Sequence, residues 1–325
     1  MTRLPDTRAP LAAAEAASAF ALLFDGGPSP DDAQRFLTDM AARDETSIEI
    51  AAAAQAMRDR MIAVTAPPGA IDVCGTGGDG SHSLNVSTAV AIVVAAAGVP
   101  VAKHGNRAAS SQAGAADTLE ALGLDLDRAS AAAEDTLDRL GIAFLFAQAH
   151  HPALAKLAPV RRAIGRRTVL NLTGPAANPA RVTRQLIGVA RPGFLGVFAG
   201  AIEILGTDAT LLVAGDEPLD ELSVDGASTT YWVGGDSKRV TPETAGLPRH
   251  PLSALRGGNA AYNAAALMRL LGGEAGAYRD AVLFNASAAL RVAGVADDWH
   301  AGVEQAAAAI DTGAAARLLA AWVAA

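Results

Sequence analysis

Glycines and small polar residues cluster in the segment DVCGTGGDGSHSLNVST, residues 72–88. Gly75, Gly77 and Gly80 have the spacing G-x-G-x-x-G, which is typical of dinucleotide-binding loops. Such a loop leads directly into a helix, and an acidic residue follows about twenty residues later to bind the ribose. Here residues 81–85 separate the last glycine from the predicted helix, and Lys103 stands where the acid is expected. The segment therefore fits a dinucleotide site poorly.

The same segment carries groups that bind a phosphate with an attached divalent cation. Its backbone amides and the predicted start of a helix near Val86 offer N–H donors, and the positive end of a helix attracts anions. Asp79, Ser87 and Thr88 add a carboxylate and two hydroxyls, which are oxygen ligands that Mg2+ accepts. A glycine-rich turn that merely caps a buried helix explains the glycines equally well, so the segment alone does not decide its function.

A cationic stretch, KHGNRAASS (residues 103–111), directly follows the next predicted strand. Ligands bind just beyond the carboxyl ends of the strands in a parallel sheet, so this stretch and the glycine-rich segment are expected to meet in one crevice. The chain contains three lysines, and arginine carries most of its remaining positive charge. A lysine at position 103 therefore suggests a point charge on phosphate. The alternative is an ordinary solvated basic turn.

The elements that would position these segments change character at Pro67-Pro68-Gly69. Residues 11–66 contain only helical patterns, and we predict a domain boundary at the proline pair. Beyond it, short apolar strands alternate with helices, which is the pattern of a mainly parallel sheet with helices on both faces. The predicted strands are AIDVCG, VPVAK, IAFLFAQ, QLIGVA and ATLLVA, and the predicted helices include residues 86–97, 113–122 and 127–140.

Composition and charge restrict the class of protein. The 325 residues are 51% hydrophobic and 18% charged, as in globular proteins, and the length allows two domains. A net charge of −8 gives no basic footprint for nucleic acid or an anionic membrane. The single cysteine, Cys74, excludes an internal disulfide and suits a reducing cytoplasm. Because no signal peptide or membrane-spanning run is found, we expect a cytoplasmic protein.

Four stretches, in order, resemble the anthranilate phosphoribosyltransferases. They are GTGGDGSHSLNVST (75–88), KHGNRAASSQAGAADTLEALG (103–123), HHPALAKLAPVRRAIGRRTVLNLTGPAANPA (150–180) and LDELSVDG (219–226). The second and third stretches are specific to the family, whereas the first alone is not. The resemblance implies transfer of phosphoribose from phosphoribosyl pyrophosphate to the amino group of anthranilate, with release of pyrophosphate. This is the second step of tryptophan biosynthesis from chorismate.

The resemblance also implies which residues bind phosphoribosyl pyrophosphate. They come from the glycine-rich segment, the start of the following helix and the cationic stretch. The implied residues are Gly75, Gly78, Asp79, Ser83, Asn85, Val86, Ser87, Thr88, Lys103, His104, Gly105, Asn106, Arg107, Ala108, Ala109, Ser110, Ser111 and Ala115.

Catalysis and Mg2+ binding are assigned in the same way. The family implies Lys103, Asp220 and Glu221 as catalytic residues, and Ser87, Asp220 and Glu221 as the residues that bind Mg2+. The acid pair follows the apolar strand ATLLVA, so it also lies at the exit of a strand. Without the resemblance, an acidic surface turn would be the preferred interpretation of GDEPLDE.

For anthranilate, the family implies Gly75, Asn106 and Arg161 as binding residues. A guanidinium fork suits a planar benzoate carboxylate. Three neighbouring arginines leave the choice open by spacing alone, and only the alignment to the family motif selects Arg161.

The predicted fold class is α/β, with a small all-helical domain plus a larger domain with a mixed, mainly parallel central sheet flanked by helices. The helical domain comprises residues 1–68 and a returning segment at about 150–182, and its N-terminal helices are expected to contact a second subunit in a homodimer. Residues 69–149 and 183–325 form the domain that binds phosphoribosyl pyrophosphate. Catalysis is expected in the cleft between the two domains.

Two alternatives come from different functional classes. A pyrimidine nucleoside phosphorylase-like enzyme would share the fold and act on nucleosides. A non-catalytic homologue would bind nucleic acid or serve as a scaffold. The acidic net charge and the intact cation-binding set disfavour the second alternative, so we expect small-molecule substrates and neither nucleic acid nor membrane as partners.

Overall fold

Three helices precede the sheet in the computed structural model, which describes residues 3–108, 112–217 and 219–325. Ser29 caps the second helix, because its hydroxyl accepts a hydrogen bond from the Asp32 amide at 3.2 Å. Thr46 and Glu49 form a reciprocal capping box at the third helix. These helices are α1 (Ala13–Asp25), α2 (Pro30–Ala42) and α3 (Ser47–Arg58).

The strands of the described residues form one seven-stranded mixed sheet. They are β1 (Ile71–Gly75), β2 (Val101–Gly105), β3 (Ile142–Phe146), β4 (Arg184–Gly188), β5 (Ala209–Gly215), β6 (Ser228–Trp232) and β7 (Ser237–Val240). Their spatial order is β3-β2-β1-β4-β5-β6-β7, in which the first five are parallel and β6 and β7 are antiparallel. The chain therefore reverses its direction of strand addition between β1 and β4, where open α/β sheets bind ligands.

The remaining helices cover both faces of the sheet and complete the helical part. Short 3₁₀ turns occur at Pro192–Phe194, Pro242–Ala245 and Leu252–Leu255. The helices are α4 (Val86–Ala96), α5 (Ala115–Ala121), α6 (Leu126–Ala131), α7 (Ala133–Leu140), α8 (Ala147–His150), α9 (Pro152–Ile164), α10 (Val169–Ala176), α11 (Leu195–Leu205), α12 (Ala260–Leu271), α13 (Ala277–Ala293), α14 (Trp299–Asp311) and α15 (Ala314–Ala324).

The predicted fold class is confirmed, because a helical N-terminal part is followed by a mixed, mostly parallel sheet flanked by helices. The prediction of one helix over residues 127–140 was wrong. The chain forms α6 and α7 instead, because Ala132 between them has φ −97° and ψ 10°, which interrupts the helical path. The last two residues of the predicted strand IAFLFAQ, Ala147 and Gln148, begin α8.

The helices that follow β3 return to the N-terminal helices. α9 packs against α1 and α2, and α10 packs against α3. This packing is consistent with a returning segment near residues 150–182, and the exact domain boundaries stay a prediction. No single helix within the described ranges is long and apolar enough to cross a membrane, although α14 and α15, which meet at 61°, pass that test as a bent pair.

Apolar side chains pack on both faces of the sheet, as the alternation of side chains along each strand requires. Val73 of β1 belongs to the core cluster that includes α4 and α13. Its neighbour Cys74 belongs to the cluster that includes the N-terminal helices. α4 is buried on nearly every side, in agreement with its uninterrupted apolar sequence. The helix therefore starts at a fixed point beside the carboxyl ends of β1 and β2.

Candidate active site

A cleft opens at the carboxyl ends of β1 and β2, beside α9 and α10, with a cavity volume of about 310 Å³. Lys103 of the cationic stretch, Asp220 of the acid pair and Arg161 all line this cleft. The predicted site residues that line it are Gly75, Gly78, Ser87, Lys103, His104, Gly105, Asn106, Arg107, Ala108, Ala115, Arg161 and Asp220.

Other predicted site residues lie around this cavity rather than on its wall. Val86 and Glu221 line a smaller adjoining cavity of about 40 Å³, which shares Ser87 and Asp220 with the cleft. Ser83 forms an isolated antiparallel bridge with Arg256. Asp79, Asn85 and Thr88 do not line the cleft, and the predicted residues Ala109, Ser110 and Ser111 lie outside the described residues.

The Lys103 side chain is 2% exposed and reaches the end of β1. Its Nζ donates hydrogen bonds to the Val73 carbonyl at 2.7 Å and to the Ser87 hydroxyl at 3.3 Å. Burial lowers the pKa of the ammonium, while the negative charges of Asp72 and Glu221 act in the opposite direction. The geometry therefore holds one cation at the place where the two predicted phosphate-binding segments meet.

The acid pair lies on the loop between β5 and β6 and contacts both the glycine-rich segment and α4. Asp220 Oδ2 accepts from the Gly77 amide at 2.7 Å, and Glu221 Oε1 accepts from the Ser87 amide at 3.2 Å. Burial and the charge of Asp79 raise the pKa of Asp220 to about 6. Burial and the charge of Asp220 raise the pKa of Glu221. Both carboxyl groups are thus shifted toward the neutral form, and a bound cation would favour their charged form.

These carboxylates fit a hard divalent cation, which would offset their mutual repulsion. Within the described ranges, no cluster of three or more His, Cys, Asp or Glu side chains is arranged to hold a metal ion. Mg2+ commonly uses only one or two carboxylates and completes its shell with waters and substrate phosphates. The two acids and the Ser87 hydroxyl therefore fit an ion that binds together with a phosphorylated ligand.

The glycine-rich segment turns through conformations that favour glycine. Gly77, Gly78 and Gly80 have φ values of 65°, 75° and 76°, which residues with a Cβ rarely adopt. Asp79 accepts hydrogen bonds from the amide and the hydroxyl of Ser81, at 3.2 and 2.7 Å. Its carboxylate thus shapes the turn, while Gly77 and Gly78 line the cleft.

Asn85 is engaged by protein groups on several sides. Its Oδ1 accepts from the Thr118 hydroxyl at 2.6 Å and from the Asn263 amide at 2.9 Å, and its Nδ2 donates to the Ala113 carbonyl at 3.3 Å. The Tyr278 hydroxyl donates to the backbone carbonyl of Asn85 at 3.2 Å. Asn85 therefore joins the start of α4 to α5, α12 and α13, and its partner residues on these three helices were not predicted from the sequence.

His104 and His151 lie side by side in the wall of the cleft, with their Nε2 atoms 3.2 Å apart. Nδ1 of His104 lies 2.9 Å from the Gly174 carbonyl. Because a carbonyl only accepts, we assign the His104 proton to Nδ1, which leaves its Nε2 to accept from His151. Burial lowers the pKa of His104 to about 3 and that of His151 to about 4. Both rings are therefore neutral near pH 7.

Arg161 lies on α9 and lines the cleft, and no described residue pairs with its guanidinium. Burial lowers its pKa. Its neighbours differ, because Arg162 is exposed and Arg166 donates to the Thr38 carbonyl at 3.2 Å. Among these arginines, Arg161 thus combines a place on the cleft wall with a free guanidinium, which suits an anionic ligand.

Arg107 differs from Arg161, because its guanidinium is already paired with Asp117 and Glu120. Asp117 also accepts hydrogen bonds from the amides of Ala108 and Gly114, at 2.9 and 2.8 Å. One carboxylate therefore holds the two ends of the loop that connects β2 to α5. Arg107 stabilises that arrangement from the side.

Two family models match this chain. The helical bundle domain of the Glycosyl transferase family matches residues 3–61, and the a/b domain of the Glycosyl transferase family matches residues 67–316. The anthranilate phosphoribosyltransferase of Novosphingobium aromaticivorans is 60% identical over 328 residues, which cover 100% of this chain and 99% of that protein. The chain belongs to the anthranilate phosphoribosyltransferase family.

Further members of the anthranilate phosphoribosyltransferase family are similar to this chain along nearly its whole length. The protein of Sphingopyxis alaskensis is 60% identical over 323 residues, covering 98% of this chain and 97% of that protein. The crystal structure of the Thermus thermophilus enzyme has 42% identity and a TM-score of 0.91, covering 98% and 96% of the two chains. The Saccharomyces cerevisiae enzyme in complex with PRPP and Mg has 26% identity and a TM-score of 0.90, covering 97% and 93%.

Two residues near the cleft of this anthranilate phosphoribosyltransferase fold were missed by the sequence analysis. Asp72 is fully buried, and its Oδ1 accepts from the His104 amide at 3.0 Å, which fixes the end of β2 against β1. An acid inside the apolar strand AIDVCG was the available signal. Gly188 ends β4 as the register partner of Gly75. It lies against the backbone of Asp220 in the β5–β6 loop, a contact that no local sequence pattern reveals.

Proposed function

We propose that the cleft transfers the phosphoribosyl group of phosphoribosyl pyrophosphate to the amino group of anthranilate and releases pyrophosphate, the second step of tryptophan biosynthesis from chorismate. The observation that carries this proposal is the meeting of Lys103, Asp220 and the unpaired Arg161 in one cavity. A cation beside two carboxylates suits a diphosphate with its metal ion, and a separate cation suits a small aromatic acid. Relatives of this chain are named anthranilate phosphoribosyltransferase. A variant of the Saccharomyces cerevisiae relative is in complex with 4-fluoroanthranilate.

In this reaction the bond between ribose C1 and the diphosphate oxygen breaks, a bond from C1 to the amine nitrogen forms, and the nitrogen loses a proton. The protein must therefore stabilise the negative charge of the departing diphosphate. The Lys103 ammonium, the positive end of α4 and the glycine-segment amides other than that of Gly77, which donates to Asp220, would supply donors for it. Ser87, Asp220 and Glu221 would hold Mg2+, which supplies further charge neutralisation when bound.

The acceptor carboxylate would pair with Arg161, and Gly75 and Asn106 would complete the anthranilate site. A charged hydrogen bond of this kind contributes about 1.5–3 kcal/mol, or roughly one to two powers of ten in affinity. The neutral rings of His104 and His151 add no positive charge beside the amine, so the carboxylate is drawn to Arg161. This arrangement directs the amino group toward the sugar carbon.

We also propose that two chains associate through the N-terminal helices and that the enzyme works in the cytoplasm on small molecules, without nucleic acid or membrane partners. Ile48 on α3 and Ile62 after it are 40% and 56% exposed, so the helical part presents apolar side chains that such a contact would cover. The net charge of −8 and the single free cysteine support the other statements. Light scattering that gives the mass of one chain would contradict the dimer.

The transfer reaction is tested by mixing the purified chain with anthranilate, phosphoribosyl pyrophosphate and Mg2+. Anthranilate fluorescence should be consumed, and pyrophosphate should appear in equal amount. Omission of Mg2+ in the presence of EDTA should stop the reaction. Phosphorolysis of thymidine or uridine, measured in parallel, distinguishes the nucleoside phosphorylase alternative. No loss of fluorescence with an intact, folded chain would refute the proposal.

A further inference from the structure

β1 and β4 both end in a glycine, and the Asp220 loop passes over this pair. Gly75 and Gly188 are direct register partners. A Cβ at position 188 would lie 1.5 Å from the carbonyl oxygen of Asp220 and 2.5 Å from its carbonyl carbon. A Cβ at position 75 would lie 2.2 Å from Asp220 Oδ2. Carbon atoms in contact are normally about 3.5–4.0 Å apart, so neither position accepts a side chain without movement of Asp220.

The close approach, rather than the backbone conformation, requires glycine at position 188. Gly188 is not among the glycines with positive φ, so alanine is compatible with its backbone conformation. The obstacle to a side chain is the backbone of Asp220 itself, which is less adjustable than the end of a flexible side chain.

The structure also limits the retreat of either partner. The Gly188 carbonyl accepts from the Thr76 amide at 2.9 Å, which ties the end of β4 to the glycine-rich segment. On the other side of the loop, the Leu222 amide donates to Asn285 Oδ1 at 2.9 Å, and Asn285 Nδ2 donates back to the Leu222 carbonyl at 3.1 Å. Asn285 is buried in α13. The loop is thus held between α13 and the ends of the strands.

We propose that Gly188 is a positioning residue for the transfer reaction. By lacking a side chain, it lets the Asp220 backbone lie against the end of β4, from where the carboxylate reaches the Gly77 amide and the cleft. This inference rests on the proposed function, in which Asp220 binds Mg2+. A misplacement of about 1 Å can lower a reaction rate about 100-fold, so even one methyl group at this position should reduce the rate.

The test compares Gly188→Ala with Gly196→Ala in the full chain. Gly196 is a matched control because a Cβ there meets nothing within 4 Å and its φ is not positive. Mn2+ binding in the presence of inorganic pyrophosphate, followed by electron paramagnetic resonance, reports on the site without turnover. We expect Gly188→Ala to weaken Mn2+ binding about 10-fold or more and to raise the Mg2+ requirement similarly, while the anthranilate KM changes by less than about threefold. The control should match the unmodified chain.

Mn2+ binding by folded Gly188→Ala within about twofold of the unmodified chain would overturn the inference. If this variant does not fold, Gly75→Ala provides the second measurement, because its Cβ meets the Asp220 carboxylate instead of the backbone. Normal Mn2+ binding by Gly75→Ala would also overturn the inference. The transfer proposal has its own test and is refuted if the unmodified chain consumes no anthranilate. In that case the Mn2+ measurement still decides whether Gly188 positions Asp220.

Discussion

The ammonium of Lys103 and the hydroxyl of Ser87 lie 3.3 Å apart, at the junction of β2 and α4. The Ser87 amide also donates to Glu221, so one serine connects the cation of β2 with the acid pair of the β5–β6 loop. The cation and the carboxylates are therefore one polar unit. Removal of one member leaves another with a buried charge that lacks its partner, which is costly.

Lys103→Met removes the ammonium and keeps most of the side-chain volume. We expect kcat/KM for phosphoribosyl pyrophosphate to fall about 30- to 100-fold or more, because hydrogen bonds to charged groups contribute about 1.5–3 kcal/mol each. Steady-state kinetics with each substrate varied in turn provide the measurement. Lys238→Met on β7, where the side chain is exposed, is the control and should retain full activity. Unchanged kinetics of Lys103→Met would exclude the proposed role.

Arg161→Ala should raise the anthranilate KM about 10- to 100-fold and change the KM for phosphoribosyl pyrophosphate far less. The reason is that the unpaired guanidinium faces the cleft apart from the acid pair. Arg162→Ala, on the exposed side of the same helix, serves as the matched control. Equal effects of Arg161→Ala on both KM values would remove this residue from the acceptor site.

Thr118→Val should weaken binding of phosphoribosyl pyrophosphate, because it removes the 2.6 Å hydrogen bond to Asn85 at the start of α4. A lost hydrogen bond to a half-buried acceptor costs about 1–2 kcal/mol, so the KM should rise about 5- to 30-fold. Thr118→Ser keeps the hydroxyl and should restore the KM to near its original value. A purely structural role would instead lower the melting temperature of Thr118→Val and leave its KM unchanged.

The neutral histidine pair predicts how stability depends on pH. Burial holds the pKa of His104 at about 3 and that of His151 at about 4, against 6.5 for an unperturbed ring. Between pH 6.5 and pH 4 the unfolded chain therefore binds more protons than the folded chain. The free energy of unfolding should fall as the pH drops through this window, by about 2 kcal/mol per ring at pH 5 relative to pH 7.5.

Urea unfolding at pH 7.5 and pH 5 measures this dependence. His151→Gln should remove about half of the loss attributed to the pair, since one of the two rings no longer titrates. His300→Gln, at an exposed position on α14, should leave the dependence as it is. If the two variants lose the same free energy between the two pH values, the buried pair is not the cause.

The sequence predicted the elements whose signals are local. The strands AIDVCG and VPVAK and the apolar helix from Val86 are short runs bounded by glycine or proline, and the structure places them within one or two residues of the expected ends. The break between α6 and α7 was not predicted, because residues 127–140 carry a continuous helical pattern and Ala132 is a good helix former. There the path of the chain is decided by packing rather than by residue preference.

In the candidate site, the sequence predicted Lys103 and the glycine-rich segment from their place after two strands, and the family motifs supplied Arg161 and the acid pair. It could not separate side chains that face the cleft from those that hold its wall. Asn85 shows this limit, since its partners Thr118 and Asn263 come from distant helices. Gly188 shows it too, because its close contact is with a loop that begins after another strand.

Lys103 is placed by β2 and Asp220 by the loop that follows β5, whereas Arg161 is placed by α9, a helix that packs on the N-terminal helices. Under the proposed function, recognition of the nucleophile would thus depend on one part of the architecture and departure of the leaving group on another. Changes within α9 should therefore alter the choice of aromatic amine while sparing the phosphorylated sugar, so an engineer seeking new aryl amine products should begin mutagenesis on that helix.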